Sequence, residues 1–191
     1  MTTFKLLLMT FIGIIAADKY TKLYNLVCDT SPKWAENVTC DLKVMGRNVV
    51  FANMEMDVKR PLNNISVHFQ IFKFYNQFRP FIVDVSFSVC DVLSKKSESN
   101  FYINSMLRIL SKFSNAVKCP LNGHLYARNL EIKYQYFKVF MEEGKYRLNF
   151  YFFEGYRLNS VGNATIYVEI FQKYIRPTKK NNSDNKSVVA I

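Results

Sequence analysis

The sequence predicts an all-β protein, an antiparallel β-sandwich with one short helix between Cys90 and Cys119. Three observations predict it. Apolar and polar residues alternate with period two in several short segments, the signature of half-buried strands. Helical spacing of apolar residues appears only once, after Cys90. Turn signals separate the segments: Pro61 with Asn63-Asn64, Asn76 to Pro80, and Asn122-Gly123.

In the first clear strand Val50, Ala52, Met54, Met56 and Val58 share one face, with Asn53, Glu55 and Asp57 on the other. After the turn at Pro61 to Asn64, Ile65, Val67, Phe69 and Ile71 share a face. The phase then slips near Phe72-Lys73-Phe74, which predicts a bulge or a twist. The third strand is the cleanest, with Phe81, Val83, Val85, Phe87 and Val89 inward and Asp84, Ser86 and Ser88 outward. Beyond Cys90, Ser97-Glu-Ser-Asn100 offers caps, and Ile103, Met106, Leu107, Leu110 and Phe113 recur at helical spacing. An amphipathic helix of about 12–15 residues is expected, ending before Cys119-Pro120. Asn122-Gly123 reads as a turn with His124 in it. Strands follow around 125–132, 134–141, 145–153 and 164–174, the last with Ala164, Ile166, Val168 and Ile170 on one face. Glu142-Glu143 beside Gly144 reads as a solvated turn. Seven or eight such strands suit two sheets packed about 10 Å apart.

Residues 1–17 carry Lys5, an apolar run from Leu6 to Ile15 and the small pair Ala16-Ala17. This is the pattern of a secretory signal peptide. A run of about 10 residues is too short for a bilayer core, which takes about 20. A short signal-anchor is the rival reading. The domain is expected over 18–175 and a disordered polar tail over 176–191. The expected address is secreted and extracellular, with no stable membrane insertion.

Other features agree with that address. Cys28, Cys40, Cys90 and Cys119 are an even set that suggests two disulfides. Three pairings are open; local loop closure favours Cys28–Cys40 and Cys90–Cys119. Cys-x-x-Cys is absent and the two histidines are His68 and His124, so the spacing does not suit a metal site. Acceptor sequons start at Asn37, Asn64, Asn163, Asn181 and Asn185. Asn64 and Asn163 fall at predicted strand starts, and Asn181 and Asn185 in the tail. The formal charge is +11, with 26 Lys and Arg against 15 Asp and Glu. In a cytosolic protein this balance would suggest nucleic acid. Secretion and the scatter of the basic residues point instead to a solvated basic surface, or to anionic lipid, sulfated glycan or an acidic receptor face.

Catalytic constellations are missing. There is no Gly-x-Ser-x-Gly elbow, phosphate-cradling glycine loop or His-Glu-x-x-His pair. His68 falls on the polar face of its strand. The expectation is a protein that is not an enzyme and needs no cofactor. The positive signal is apolar: Phe69 and Ile71, then Phe81, Val83, Val85 and Phe87, then Leu148, Phe150 and Phe152. These nine either fill a core or line a cavity between splayed sheets.

Several short motifs carry a family resemblance over about Cys28 to Tyr167: Cys40-Asp-Leu-Lys43, Pro61-Leu-Asn63, Asn76-Gln-Phe-Arg-Pro-Phe81, Cys90-Asp-Val-Leu93, Cys119-Pro-Leu-Asn-Gly123 and Gly144-Lys-Tyr-Arg-Leu148. The chain resembles an insect family of secreted proteins of unknown function. That family is similar to the ML lipid-recognition superfamily and includes the chemosensory B proteins. Ser88, Leu121 and the lack of a proline before Gly144 depart from its pattern. The resemblance implies an immunoglobulin-like, ML-like sandwich that holds a lipid or other hydrophobic molecule between its sheets, although one sandwich architecture serves many roles. Two functions are therefore expected in competition: a binding protein for a lipid, sterol or hydrocarbon pheromone, or an extracellular interaction module or receptor accessory without a small ligand.

Overall fold

The computed structural model describes residues 19–46, 49–94, 103, 110–136, 138, 141–155 and 159–172. The leader, the tail with Asn181 and Asn185, and most of the predicted helix, including its caps, lie outside these residues. The strands are β1 (Lys19–Thr30), β2 (Ala35–Val44), β3 (Val50–Leu62), β4 (Ile65–Phe74), β5 (Phe78–Ser88), β6 (Leu121–Leu130), β7 (Gly144–Glu154) and β8 (Asn159–Gln172). A single helical turn, α1 (Val89–Leu93), follows β5, and Ser88 caps it by accepting from the Asp91 amide. Ile103 and residues 110–113 are also helical.

The strands form two sheets, ordered β1-β8-β7-β4-β5 and β2-β3-β6. Pairing is antiparallel between β2 and β3, β3 and β6, β4 and β5, β4 and β7, and β7 and β8. The inward faces of both sheets meet in one apolar cluster, which joins Val50, Ala52 and Leu130 of the smaller sheet to Val67, Phe69, Leu148 and Ile166 of the larger. The protein is thus an antiparallel β-sandwich. In that cluster Tyr146 is fully buried, and its hydroxyl donates to the Glu142 carbonyl and accepts from the Glu142 amide. That satisfies the polar end of a ring that burial would otherwise penalise.

Several sequence expectations are corrected. Pro61 does not end its strand; β3 runs on to Leu62, and Pro61 sits where the β3–β6 register shifts between Val58 and Leu62. A residue without an amide hydrogen is tolerated at such a gap in the ladder. Asn122-Gly123 lies within β6, where Gly123 takes φ 67° opposite Val58, so the glycine serves a bulge and His124 is a strand residue. The irregularity predicted near Phe72 exists as a register shift between Gln70 and Phe72, but the extra residues are on β5, with Ile82 at φ 53° and pushed into solvent. Residues 134–136 form a 3-10 turn where a strand over 134–141 was expected. Asn163 is not at a strand start; it lies half-buried inside β8 opposite Tyr151. Asn64 is exposed in the β3–β4 turn, and Asn37 is exposed on β2 with its amide donating to Asp57 at 2.8 Å.

The disulfides are Cys28–Cys40 and Cys90–Cys119. The first joins β1 of the larger sheet to β2 of the smaller. The second joins α1, which continues β5, to the segment that enters β6. Each therefore clips one sheet to the other.

Candidate functional site

The interior is not uniformly filled. Buried residues divide into two clusters. The larger, centred on Tyr146, Phe69 and Ile71, packs one end of the sandwich. The smaller gathers Trp34, Leu62, Ile65, Leu121, Leu125 and Val161 at the other. Trp34 anchors it from the β1–β2 turn, with the Arg60 guanidinium 3.9 Å over its ring. Between them lies a cavity of about 810 Å³ whose walls draw on both clusters.

The walls follow from the strand alternation. On the larger sheet Val67 and Phe69 of β4, Phe87 of β5, Leu148, Phe150 and Phe152 of β7, and Ala164 and Ile166 of β8 face the space. Phe69 stacks on Phe150 with ring centroids 4.7 Å apart, which gives an aromatic floor. On the smaller sheet Met54 and Met56 of β3 and Leu125 and Ala127 of β6 form the opposite wall. Val92 and Leu93 of α1, Ile103 and Leu110 close one side. Val38, Leu110 and Val117 line the cavity and are also exposed, so they rim an opening. Thr39, Ser111, Ser114 and Asn163 are among the polar groups of the lining. Mainly apolar walls with a small number of polar groups are the usual composition of a site for a hydrophobic molecule.

Of the nine residues singled out from the sequence, Phe69, Phe87, Leu148, Phe150 and Phe152 line this cavity. Ile71 and Val83 are instead buried in the larger cluster, and Phe81 and Val85 pack against it. The Phe81 ring lies 5.6 Å from that of Tyr146. These four sit toward the β4–β5 hairpin, where Tyr146 fills the space between the sheets. Met54 and Ala164, which alternation places on inward faces, line the cavity together with Leu125 and Ala127, although none of the four is among the nine. Ala164 was visible as the small residue in an otherwise bulky inward row, a hint of room between the sheets.

Charged groups lie mainly outside this space. Glu55 reaches its edge but is engaged by Arg128, with Nε and Nη2 at 2.6 and 2.9 Å, and by His124 at 3.3 Å. The Arg128 hydrogen bond is the first cause that holds the Glu55 carboxyl below its ordinary value. Asp57 is lowered by Asn37 first and by His124 next. His68 pairs with Asp84 at 2.5 Å on the outer face of the larger sheet. Among the described residues no helix is long and apolar enough to cross a membrane.

Residues 67–148 match the model of a family described as protein of unknown function (DUF1091). No curated protein matches the chain. Among solved structures, a Niemann-Pick type C2 protein from the Japanese carpenter ant is similar at 12% identity and a TM-score of 0.28, covering 80% of this chain and 93% of that one.

Proposed function

We propose that the protein is a secreted binding protein for a hydrophobic small molecule, held between the sheets. The observation that carries this reading is the cavity of about 810 Å³ with apolar walls from both sheets. That volume falls within the roughly 300–1,000 Å³ of small-molecule sites. It suits a fatty acid, a sterol or a long hydrocarbon. Burying about 300 Å² of ligand at about 25 cal/mol per Å² favours binding by roughly 7 kcal/mol before ordering costs. Desolvation drives the association, and catalysis has no part in it. The exposed Asn37 and Asn64 are the described sequons best placed to carry glycans in the secretory pathway. A chemosensory hydrocarbon or fatty-acid signal is the finer reading that the sequence resemblance supplies.

Native mass spectrometry of the secreted protein, alone and with added fatty acids, sterols and long alkanes, tests the reading. A stoichiometric adduct with one of these classes is expected. Failure of all three to bind refutes it.

A further inference from the structure

The outward face of the five-stranded sheet, on the side away from the cavity, carries a strip of rings with a cation at its centre. The register aligns Pro80 of β5, Phe72 of β4, Arg147 of β7 and Tyr167 of β8. Tyr24 of β1 extends the row, its ring 5.8 Å from that of Tyr167. The Arg147 guanidinium lies 4.5 Å from the Phe72 centroid and 5.0 Å from that of Phe78. Phe78 in turn meets Tyr167 edge-on at 5.8 Å. Five strands at about 4.8 Å spacing make the strip roughly 19 Å long.

Two polar atoms in this strip are left over. Arg147 Nε and Asn149 Oδ1 are buried without a hydrogen-bond partner. Asn149 is only 5% exposed, and its amide nitrogen is spent on the Tyr151 hydroxyl at 3.0 Å. Arg147 has no ion pair with a carboxylate among the described residues; its contacts are to rings. Nε lies under the rings, out of reach of an outside ligand, but the rest of the half-buried guanidinium makes no hydrogen bond to a described residue and is what a partner can meet. Asp84, Gln70, Asn149 and Thr165 align as a polar row beside the rings, the Gln70 amide donating to Asp84 at 2.8 Å, so the carboxylate at the β5 end is engaged and the β8 end is the one open to an anion. Lys145 and Lys22 add exposed positive charge at the margin, against Glu169, which sits opposite Lys145.

We propose that this strip is a second binding site, for an acidic glycan whose sugar faces stack on Tyr24 and Tyr167 and whose sulfate or carboxylate pairs with Arg147. A planar fork with unused donors suits an oxyanion. The chain's charge of +11 repels a second copy and favours an anionic partner. The strip is about one residue wide with a hydrogen-bonding row alongside. A linear oligosaccharide fits that shape, whereas a stable protein interface needs a patch of about 800 Å² per partner. The site is independent of the cavity and of what the cavity holds.

Calorimetric titration of the full chain with a heparin-derived hexasaccharide, and with its desulfated counterpart, tests this at about 150 mM salt, where diffuse charge effects are screened beyond ~8 Å. The sulfated chain is expected to bind at least about tenfold more tightly. Arg147→Gln and Tyr24→Ala should each weaken it by about tenfold or more, and Arg147→Lys should recover only part of the loss. Lys118→Gln, which removes an equal charge beside the cavity rim, should change it less than about twofold. If Arg147→Gln does not fold, Tyr24→Ala and Lys145→Gln carry the comparison. No binding of the sulfated chain overturns the proposal, and so does an equal loss from Lys118→Gln and the strip variants. Binding of the sulfated chain that no strip variant weakens also overturns it, since Arg147 then serves packing alone.

Discussion

Two alanines decide whether the space between the sheets is used. Ala127 on β6 and Ala164 on β8 are both buried, both line the cavity, and stand on opposite sheets. Replacing both with phenylalanine adds two rings to the interior. In a close-packed core each overpacking change costs about 1–3 kcal/mol, because side chains leave their rotamers and the backbone shifts. In a cavity of about 810 Å³ the rings have somewhere to go. Each then contributes some of the roughly 1.5–3 kcal/mol that burying such a side chain supplies. The ligand-free double variant is therefore expected within about 1 kcal/mol of the parent, or above it.

Binding should respond in the opposite sense. If the rings displace about 110 Å² of ligand contact, the loss at about 25 cal/mol per Å² is roughly 2.8 kcal/mol, or about a hundredfold in affinity. Urea unfolding of the ligand-free protein gives the first quantity, and displacement of a fluorescent fatty acid gives the second. Val83→Phe is the matched control, since Val83 is buried in the larger cluster and does not line the cavity. It should lose about 1–3 kcal/mol of stability and leave affinity alone. An Ala127→Phe, Ala164→Phe double variant that unfolds like the Val83→Phe control, with unchanged ligand affinity, would refute the reasoning.

Three further outcomes are expected. The carboxyls of Glu55 and Asp57 are held below their ordinary values of 4.5 and 3.8, so they contribute stability above those values and lose it as pH falls through the lowered ones; the urea midpoint should stay level down to about pH 5 and then decline, and Arg128→Gln should shrink the decline. Replacing both cysteines of Cys90–Cys119, 29 residues apart, should cost about 3.6 kcal/mol from chain entropy, against about 2.8 for Cys28–Cys40, 12 apart, as measured by denaturant unfolding. Gly162→Ala places a methyl 2.5 Å from the Asp29 carbonyl oxygen, so β1 must move off β8; a loss of about 1–3 kcal/mol is expected, and a melting temperature equal to the parent's would contradict the close approach.

The strands legible in the sequence are those with one face in the core. β4 buries Ile65, Val67, Phe69 and Ile71 in strict alternation, and the sequence reads it directly. β1 and β2 escaped the reading because their apolar residues do not keep to one face: Leu23 and Ala35 are buried while Tyr24, Val27, Val38 and Val44 are exposed, whereas the edge strand β5 aligns Phe81, Val83, Val85 and Phe87 toward the core. Period two is a record of burial, so a strand without a buried face does not write it. The opposite error came from Tyr134 and Tyr136. Their rings pack against the larger cluster from a 3-10 turn, and aromatic residues meet their preference for a half-buried surface without joining a ladder. Asn122-Gly123 misled for a related reason, since the left-handed backbone that makes the pair a turn signal serves a bulge equally well.

The cavity follows from a different order of information. Alternation names the residues that point inward, and it named Phe69, Phe87, Leu148, Phe150 and Phe152. It does not say how far the opposite wall stands. That distance depends on what faces them, and across the space from the β7 rings the smaller sheet offers Ala127 and the flexible Met54 and Met56. Near the β4–β5 hairpin the same inward rows meet Tyr146, whose ring packs against Phe81 and fills the gap. Large residues on one sheet opposed by small or pliable ones on the other leave room, and the two disulfides tie the sheets to each other. Hollowness is thus a property of pairs of residues distant in sequence. It becomes visible only once the sheet order has brought β6 over β7 and β8.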